Sequence, residues 1–154
     1  MNKPFDVLKT LQLTVGTVVH RDCTDILIDK EKFVVVVSLA PRLLVLIINS
    51  HINPFFYIKG TDKFHVPVPK DTHPFLKHIS YVNCVQAHQA HDLTQFKEEF
   101  IKDYAKCFKG YLDDNCLTKV YEAVKTNTVI ITGHQKEIMA SIEGKLPHLR
   151  EPSK

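Results

Sequence analysis

Two uninterrupted apolar runs, Phe33–Val37 and Leu43–Ile48, dominate the hydrophobic pattern of the chain. Both runs are short and rich in β-branched side chains, which favours β-strands over helices. Because neither run alternates with polar residues, both faces of each strand are expected to be buried. The pattern therefore predicts a central pair of strands, connected by the segment Ser38–Arg42.

Weaker strand signals lie on both sides of this pair. The further candidate strands are Leu11–Val15, Val18–Val19, Asp25–Ile28, Phe55–Ile58, Phe64–Val68 and Tyr81–Cys84. Gly16 marks a bulge or bend after the first of them, and Pro67 and Pro69 place Phe64–Val68 at an edge of the sheet. About five to seven short strands at this close spacing predict a small β-barrel or sandwich.

The second half of the chain changes to helical spacing. Apolar stripes recur at Phe96, Phe100, Tyr104 and Cys107, and again at Leu117, Val120, Tyr121 and Val124. Asp92 with Gln95 and Thr132 with Gln135 each predict a capping box at a helix start. Gly110 is expected to end or bend the chain between the two stripes.

Together these patterns predict an α+β protein, with a small β-barrel on which C-terminal helices pack. The 154 residues fit a single domain. Its β-barrel portion is expected over residues 11–90, its mainly helical portion over 91–143, and a flexible tail over 144–154.

Composition and charge indicate the cellular setting of the protein more than its function. Hydrophobic residues make up 44% and charged residues 24%, so a core of useful size can form. The net charge of +3 permits contact with phosphates without demanding it. No apolar run is long enough to cross a bilayer, and the start of the chain lacks a secretory h-region. The four scattered cysteines, without a CxxC pair, predict reduced thiols and a cytoplasmic location.

Several segments resemble the MazF/PemK-like toxin superfamily. Leu13–Val19 looks like its opening strand, while Lys32–Ser38 and Leu43–Ser50 look like the central strand pair of a divergent branch. The most specific piece is His73–Cys84, which is similar to that branch's "HPFL-x-HDSYLDC" segment. Two C-terminal helices, around Leu117–Val124 and His134–Ile142, also fit this order of elements.

The resemblance implies an SH3-like barrel and an endoribonuclease that cuts single-stranded RNA without a metal, by attack of the ribose 2′-hydroxyl. It also implies a homodimer and a cognate antitoxin protein. Two features of the chain depart from the family pattern and argue against this activity. Typical members carry a Gly-rich loop with a catalytic Arg-Pro, whereas Ile28–Lys32 holds neither Arg nor Gly. Ile79 and Asn83 also stand where the divergent branch has acids.

RNA cleavage of this kind needs a base, an acid and a cation that stabilises the phosphorane. His78 is the candidate acid or base, and Ser80 is a candidate for phosphate binding or for holding the His78 ring. Arg21 is the favoured phosphate-binding cation. The candidate substrate-binding residues are Tyr81, which could stack on a base, and Arg42, Lys30 and Lys32.

Each of these residues also has a purely structural interpretation. His78 could hold a turn through the backbone, Ser80 could be a strand-start hydroxyl, and Tyr81 could belong to the core with a solvated hydroxyl. The arginines could be solvated surface residues.

One further pattern has the residue types of a zinc site. Cys84, His88 and His91 form C-x3-H-x2-H, which would need Cys107 or His73 as a fourth zinc ligand. Because this spacing supplies three ligands and not four, no metal is predicted. No cofactor is predicted either, since neither a P-loop nor a dinucleotide fingerprint is present.

Two hypotheses remain from the sequence. The first is a toxin-like endoribonuclease with RNA as substrate, an antitoxin as partner, a homodimeric state and no membrane association. The alternative is a catalytically inactive SH3-like barrel that binds nucleic acid or a protein partner, of the antitoxin or phage accessory type.

Overall fold

The computed structural model describes residues 13–20, 33–90 and 92–150. Three predicted site residues, Arg21, Lys30 and Lys32, lie outside the described residues, as does the candidate strand at residues 25–28. Within the described part, the chain forms an antiparallel sheet with helices packed on it, so the α+β class is confirmed.

The sheet contains seven described strands. They are β1 (Thr17–His20), β2 (Phe33–Ser38), β3 (Leu44–Asn49), β4 (His65–Val68), β5 (Ser80–Asn83), β6 (His88–Gln89) and β7 (Phe108–Tyr111). The strand order is β4-β5-β3-β2-β1-β7, and β6 pairs with the N-terminal end of β3. Because β4 and β7 lie at opposite ends of this order, the described strands form an open sheet and not a closed barrel. SH3-like topology stays a prediction.

Five described helices surround the sheet. They are α1 (Pro54–Lys59), α2 (Leu93–Lys102), α3 (Tyr104–Cys107), α4 (Asp114–Thr126) and α5 (Thr132–Lys145). Short 3₁₀ turns occupy Asp62–Phe64, Lys70–Thr72 and Pro147–Leu149. None of the helices in the described ranges combines the length and the apolar composition needed to cross a bilayer.

The central strands β2 and β3 are buried on both faces, as their unbroken apolar runs predict. On one face, Val35 and Leu46 belong to a core cluster that contains Leu117 of α4 and Ile138 of α5. On the other face, a second cluster joins these strands to α2 and contains Val34, Val36, Val45, Phe96 and Phe100. Helices therefore cover both sides of the central pair, which is why alternation is missing from its sequence.

The predicted strand at Phe55–Ile58 is wrong, because this segment is helix α1. The Asn53 side chain caps the helix by accepting a hydrogen bond of 2.9 Å from the Phe55 amide, and Pro54 occupies the first turn. Gly60, with φ of 71°, ends the helix in the left-handed region. Signals at both helix ends thus outweigh the β-propensity of the aromatic residues between them.

The two predicted capping boxes have different outcomes. Asp92 does cap α2, since its Oδ1 accepts a hydrogen bond of 2.9 Å from the Gln95 amide. The box at Thr132 and Gln135 is wrong, because α5 begins after Ile131 without a side-chain cap. Gln135 instead donates from Nε2 to the last carbonyls of α4, including that of Val124 at 2.9 Å. This amide satisfies acceptors that a helix end would otherwise leave open.

Asn127 fastens the segment between β5 and β6 from inside the core. Its side chain is 3% exposed. Nδ2 donates to the carbonyls of Cys84 and Val85 at 2.8 and 3.1 Å, and Oδ1 accepts from the amide of Val129 at 2.7 Å. Buried backbone groups need hydrogen-bond partners, and Asn127 supplies them to the segment between β5 and β6. The chain can therefore leave the sheet between these two strands, which both pair with β3.

The state of the cysteines differs from the prediction. Cys84 and Cys116 are buried free thiols, but Cys107 is disulfide-bonded. The expectation of reduced thiols is wrong for Cys107, and the sequence argument for a cytoplasmic location loses that support.

Gly110 lies in β7 instead of ending the chain, and it gives the first test of the packing. A Cβ placed on Gly110 would lie 2.7 Å from Cδ1 of Phe75, whereas one on Gly133 meets nothing within 4 Å. We expect Gly110→Ala to lower the free energy of unfolding by about 1–3 kcal/mol, because the Phe75 ring must move. The matched control Gly133→Ala should be neutral or stabilising by up to about 1 kcal/mol. Denaturant unfolding measures both, and equal effects would contradict the packing.

Stability should also depend on pH through His65. This residue is 8% exposed. Its Nδ1 donates to the Thr61 and Asp62 carbonyls at 3.2 and 3.1 Å, and its Nε2 is buried without a hydrogen-bond partner among the described residues. Burial lowers the pKa of His65 below its ordinary value of 6.5, despite those two hydrogen bonds.

Below about pH 6.5 the unfolded chain therefore binds a proton that the folded chain resists. The free energy of unfolding should fall as pH falls from 7 toward 5, by up to about 1.4 kcal/mol per pH unit. His65→Gln should reduce this slope without removing it, because burial also lowers the pKa of His88. A variant that keeps the full wild-type slope in denaturant titrations at several pH values would contradict the assignment to His65.

Candidate functional site

One end of the sheet, which we term the His20 end, brings together several residues that the resemblance singles out. Here His20 pairs with Phe33, Phe33 pairs with Ile48, and Asn49 pairs with Tyr81. His20 and Phe33 also flank residues 21–32, which contain three of the predicted site residues. Tyr81 and the two flanks of that segment therefore lie at the same end of the sheet.

The segment of residues 73–80, HPFLKHIS, is packed against the His20 end. The Phe75 ring lies 6.2 Å from the ring of Phe33 and 5.8 Å from that of His73, in edge-on contact with each. Gly110 provides the space beside it, and Leu76 is 7% exposed. The sequence predicts chemistry for this segment, but His73, Phe75 and Leu76 hold it in place.

His73 is the deepest of these anchors. Its side chain is fully buried. Nδ1 lies 2.8 Å from the Pro69 carbonyl and therefore carries the ring proton, while Nε2 accepts a hydrogen bond of 3.1 Å from the Asp113 amide. The neutral tautomer is thus fixed by the backbone on both sides.

His78 has the exposure that an acid or base needs. Its side chain is exposed, and it makes no side-chain hydrogen bond within the described part of the chain. The backbone that carries it is fixed by Leu76 on one side and by strand β5 on the other. A free imidazole on an anchored segment can exchange protons with a bound ligand.

Ser80 does not hold the His78 ring. The residue is 5% exposed, and its hydroxyl donates to the backbone carbonyl of His78 at 3.2 Å. This bond closes the turn that leads into β5, which matches the structural interpretation of a strand-start hydroxyl. The described geometry therefore gives Ser80 a backbone partner and not a catalytic one.

Tyr81 follows His78 by three residues in sequence, and strand alternation places it on the face of β5 opposite to the buried Val82. It is half-buried, between Asn49 on β3 and Pro67 on β4. An aromatic side chain in this position can offer a ring face to a nucleobase. Of the two described substrate-binding candidates, Tyr81 and Arg42, it is Tyr81 that lies at the His20 end.

Arg42 lies at the other end of the sheet. It precedes β3, and the five steps from Leu44 to Asn49 separate it from the His20 end by roughly 16 Å. Its Nε is paired with Oε2 of Glu137 at 3.1 Å, and its side chain is 43% exposed. The structure therefore does not bring Arg42 to His78.

The predicted grouping of Cys84, His88 and His91 also fails to gather its ligands. Cys84 is fully buried, burial strongly raises the pKa of its thiol, and His91 lies outside the described residues. Cys107 cannot serve as a fourth ligand because it is disulfide-bonded.

His73 belongs to a different group, with Asp113 and Cys116, whose ligand atoms all lie within 4.8 Å of one another. No sequence spacing reveals this group, because 40 residues separate His73 from Asp113 along the chain.

Cys116 does not have the character of a nucleophile. Burial, together with the neighbouring Asp113 carboxylate, raises the pKa of its thiol to about 12. A thiol that stays protonated at neutral pH is a poor nucleophile, so a Cys-His catalytic pair at this position is not supported. Burial of Asp113 itself is outweighed by its hydrogen bonds with Cys116, and the pKa of its carboxyl group is lowered.

A shallow groove of about 390 Å³ lies between helix α4 and β4, which is the outermost described strand on its side of the sheet. Its charged lining is mixed, with Lys63 and Lys119 beside Glu122. Such a groove offers no single-sign field for a phosphate chain. The His20 end remains the stronger candidate for function.

Comparison of the chain with protein-family models, with curated proteins and with solved structures finds no match in any of the three. The site is therefore characterised by its own geometry. It consists of an exposed His78 on an anchored segment, with Tyr81 three residues later in the chain, at the sheet end where His20 pairs with Phe33.

Proposed function

We propose that this protein is an endoribonuclease of the MazF/PemK-like kind, with His78 as its acid or base and Tyr81 as a stacking platform for RNA. The observation that supports this most is the exposed, unpaired His78 on a segment fixed to the His20 end. Arg21, Lys30 and Lys32 remain candidates for phosphate binding, since the described residues flanking them lie at that same end.

The proposed reaction needs no metal. A base takes the proton of the ribose 2′-hydroxyl, and the 2′-oxygen forms a bond to the adjacent phosphorus. The bond from phosphorus to the 5′-oxygen breaks, and an acid protonates that oxygen. The products are a 2′,3′-cyclic phosphate and a 5′-hydroxyl end. An imidazole can serve either proton transfer near neutral pH, which accounts for the choice of His78.

The partners in this proposal are single-stranded RNA, a cognate antitoxin and a second copy of the chain. They come from the resemblance, and the net charge of +3 is compatible with RNA. A cytoplasmic location also belongs to the proposal. The disulfide at Cys107 argues in the other direction, because such bonds persist mainly in oxidising compartments.

A second candidate function is a non-catalytic domain that binds nucleic acid or a protein partner. Two contacts favour it. The Ser80 hydroxyl is occupied by a backbone carbonyl, and Arg42 is paired with Glu137 at the far end of the sheet. With those two committed elsewhere, His78 is the one described catalytic candidate without a structural partner.

The two functions can be separated with purified protein and a fluorescent single-stranded RNA in a chelator-containing buffer. We expect shortened products that end in a 2′,3′-cyclic phosphate. His78→Ala should slow cleavage by about 10²–10⁴-fold, the usual contribution of a positioned acid or base. The matched control is His148→Ala, since His148 is also exposed and lies in the C-terminal turn.

RNA that is bound but never shortened would contradict the endoribonuclease and support the binding domain. In that case, affinity that falls steeply with salt would indicate phosphate contacts, whereas a flat dependence would indicate a protein partner. Cleavage that His78→Ala leaves at the wild-type rate would contradict the role of His78 alone.

A further inference from the structure

Three side chains with metal-binding atoms meet where the 3₁₀ turn Lys70–Thr72 approaches the start of α4. They are His73, Asp113 and Cys116, whose ligand atoms all lie within 4.8 Å of one another. His73 Nε2 lies 3.9 Å from Oδ2 of Asp113. We propose that these residues form a zinc site with three protein ligands that ties residues 73–80 to α4.

The His73 ring is already in the form that a metal requires. Because Nδ1 holds the proton against the Pro69 carbonyl, Nε2 presents its lone pair toward Asp113 and Cys116. A ring N–H that donates to a backbone carbonyl is the usual outer contact of a metal-binding histidine. Full burial of the side chain keeps this orientation without loss of rotamer freedom on binding.

The other two ligands come from the first turn of α4. Asp113 is the N-cap, and its Oδ1 accepts a hydrogen bond of 2.7 Å from the Cys116 amide, while its Oδ2 faces Nε2 of His73 at 3.9 Å. The Cys116 thiol lies 3.8 Å from the Pro67 carbonyl and also contacts the Asp113 carboxylate, which a metal would hold in common with it. The Asp113 side chain is 39% exposed, which gives an ion a route from solvent into an otherwise buried group.

Sulfur, imidazole and carboxylate together favour zinc over magnesium or calcium, which prefer oxygen ligands. Zinc–ligand bonds of about 2.0–2.3 Å place ligand atoms roughly 3.3–3.7 Å apart in a tetrahedral site. The observed separations of 3.9 to at most 4.8 Å therefore have to close by roughly 1 Å. In return, the metal replaces the hydrogen bond of 3.1 Å between the Asp113 amide and Nε2.

Binding balances in charge and protons. The Cys116 thiol gives its proton to solvent, and the resulting thiolate and the Asp113 carboxylate neutralise the two positive charges of the ion. A water molecule takes the fourth position, on the exposed side of Asp113. Because the ion would bridge two parts of the chain that are distant in sequence, it would stabilise the folded state.

The test is a zinc titration of the full chain, stripped of metal with a chelator and then dialysed, against a competing chromophoric chelator. We expect one zinc per chain and a higher melting temperature with zinc than without. Cys116→Ser should weaken binding by about 100-fold or more, and Asp113→Asn by at least about 10-fold. The Asn side chain still offers an oxygen to the Cys116 amide, so the helix cap is kept.

His88→Gln is the matched control, because His88 belongs to the grouping with Cys84 and His91 and not to this site. The zinc affinity of the His88→Gln variant should equal that of wild type. Cobalt provides a measurement on the wild-type chain that does not depend on any variant folding. Co²⁺ bound through Cys116 should give a sulfur-to-cobalt charge-transfer band. A wild-type chain that binds no zinc, or a cobalt complex without that band, would overturn the site. A folded Cys116→Ser variant with wild-type zinc affinity would also overturn the site.

Discussion

Burial of the β2–β3 pair on both faces is the constraint on which the rest of the structure depends. The four valines Val34–Val37 are fully buried, and they alternate between two separate core clusters. At about 1.5–3 kcal/mol for each buried valine, they contribute on the order of 6–12 kcal/mol, which is comparable to the net stability of a whole domain. A strand with two apolar faces needs a cover on each side, and α2 on one side with α4 and α5 on the other provide it.

This arrangement decides where chemistry is possible. Because the middle of the sheet is covered on both faces, polar side chains can reach solvent mainly at its ends and edges. The β2–β3 ladder places Phe33 and Ile48 side by side at the His20 end, and β5 extends that row with Val82. Phe75 packs on this row, and His78 follows three residues later on the exposed side. The position of the candidate catalytic group thus follows from hydrophobic packing.

The sequence is a good guide where one signal dominates a segment. The runs at Phe33–Val37 and Leu43–Ile48 predict β2 and β3 because nothing competes with their apolar, β-branched character. The sequence is a poor guide where capping signals at the ends of a segment compete with the strand propensity of the residues between them. Phe55–Ile58 has strand propensity, yet Asn53, Pro54 and Gly60 cap it as a helix. Gln135 shows a related limit, because the carbonyls it binds belong to the preceding helix and its neighbours in sequence do not reveal them.

The candidate site also combines residues that the sequence identifies with contacts that it does not predict. His78 and Tyr81 can be identified from their local segment, and both lie at the His20 end. The bond from Ser80 to a carbonyl and the pairing of Arg42 with Glu137 depend on local turn geometry and on a distant helix, so residue type alone does not predict them. The group of His73, Asp113 and Cys116 is formed only by the fold.

Amide hydrogen exchange tests the two-sided burial of the central pair most directly. If β2 and β3 are held between two helical layers, their amides should exchange only when the whole domain unfolds. We therefore expect Val34–Val37 and Leu44–Leu46 to be the slowest residues, with exchange free energies equal to the global free energy of unfolding. Exchange at these residues that is as fast as in β4 or α1, well below the global value, would contradict the account.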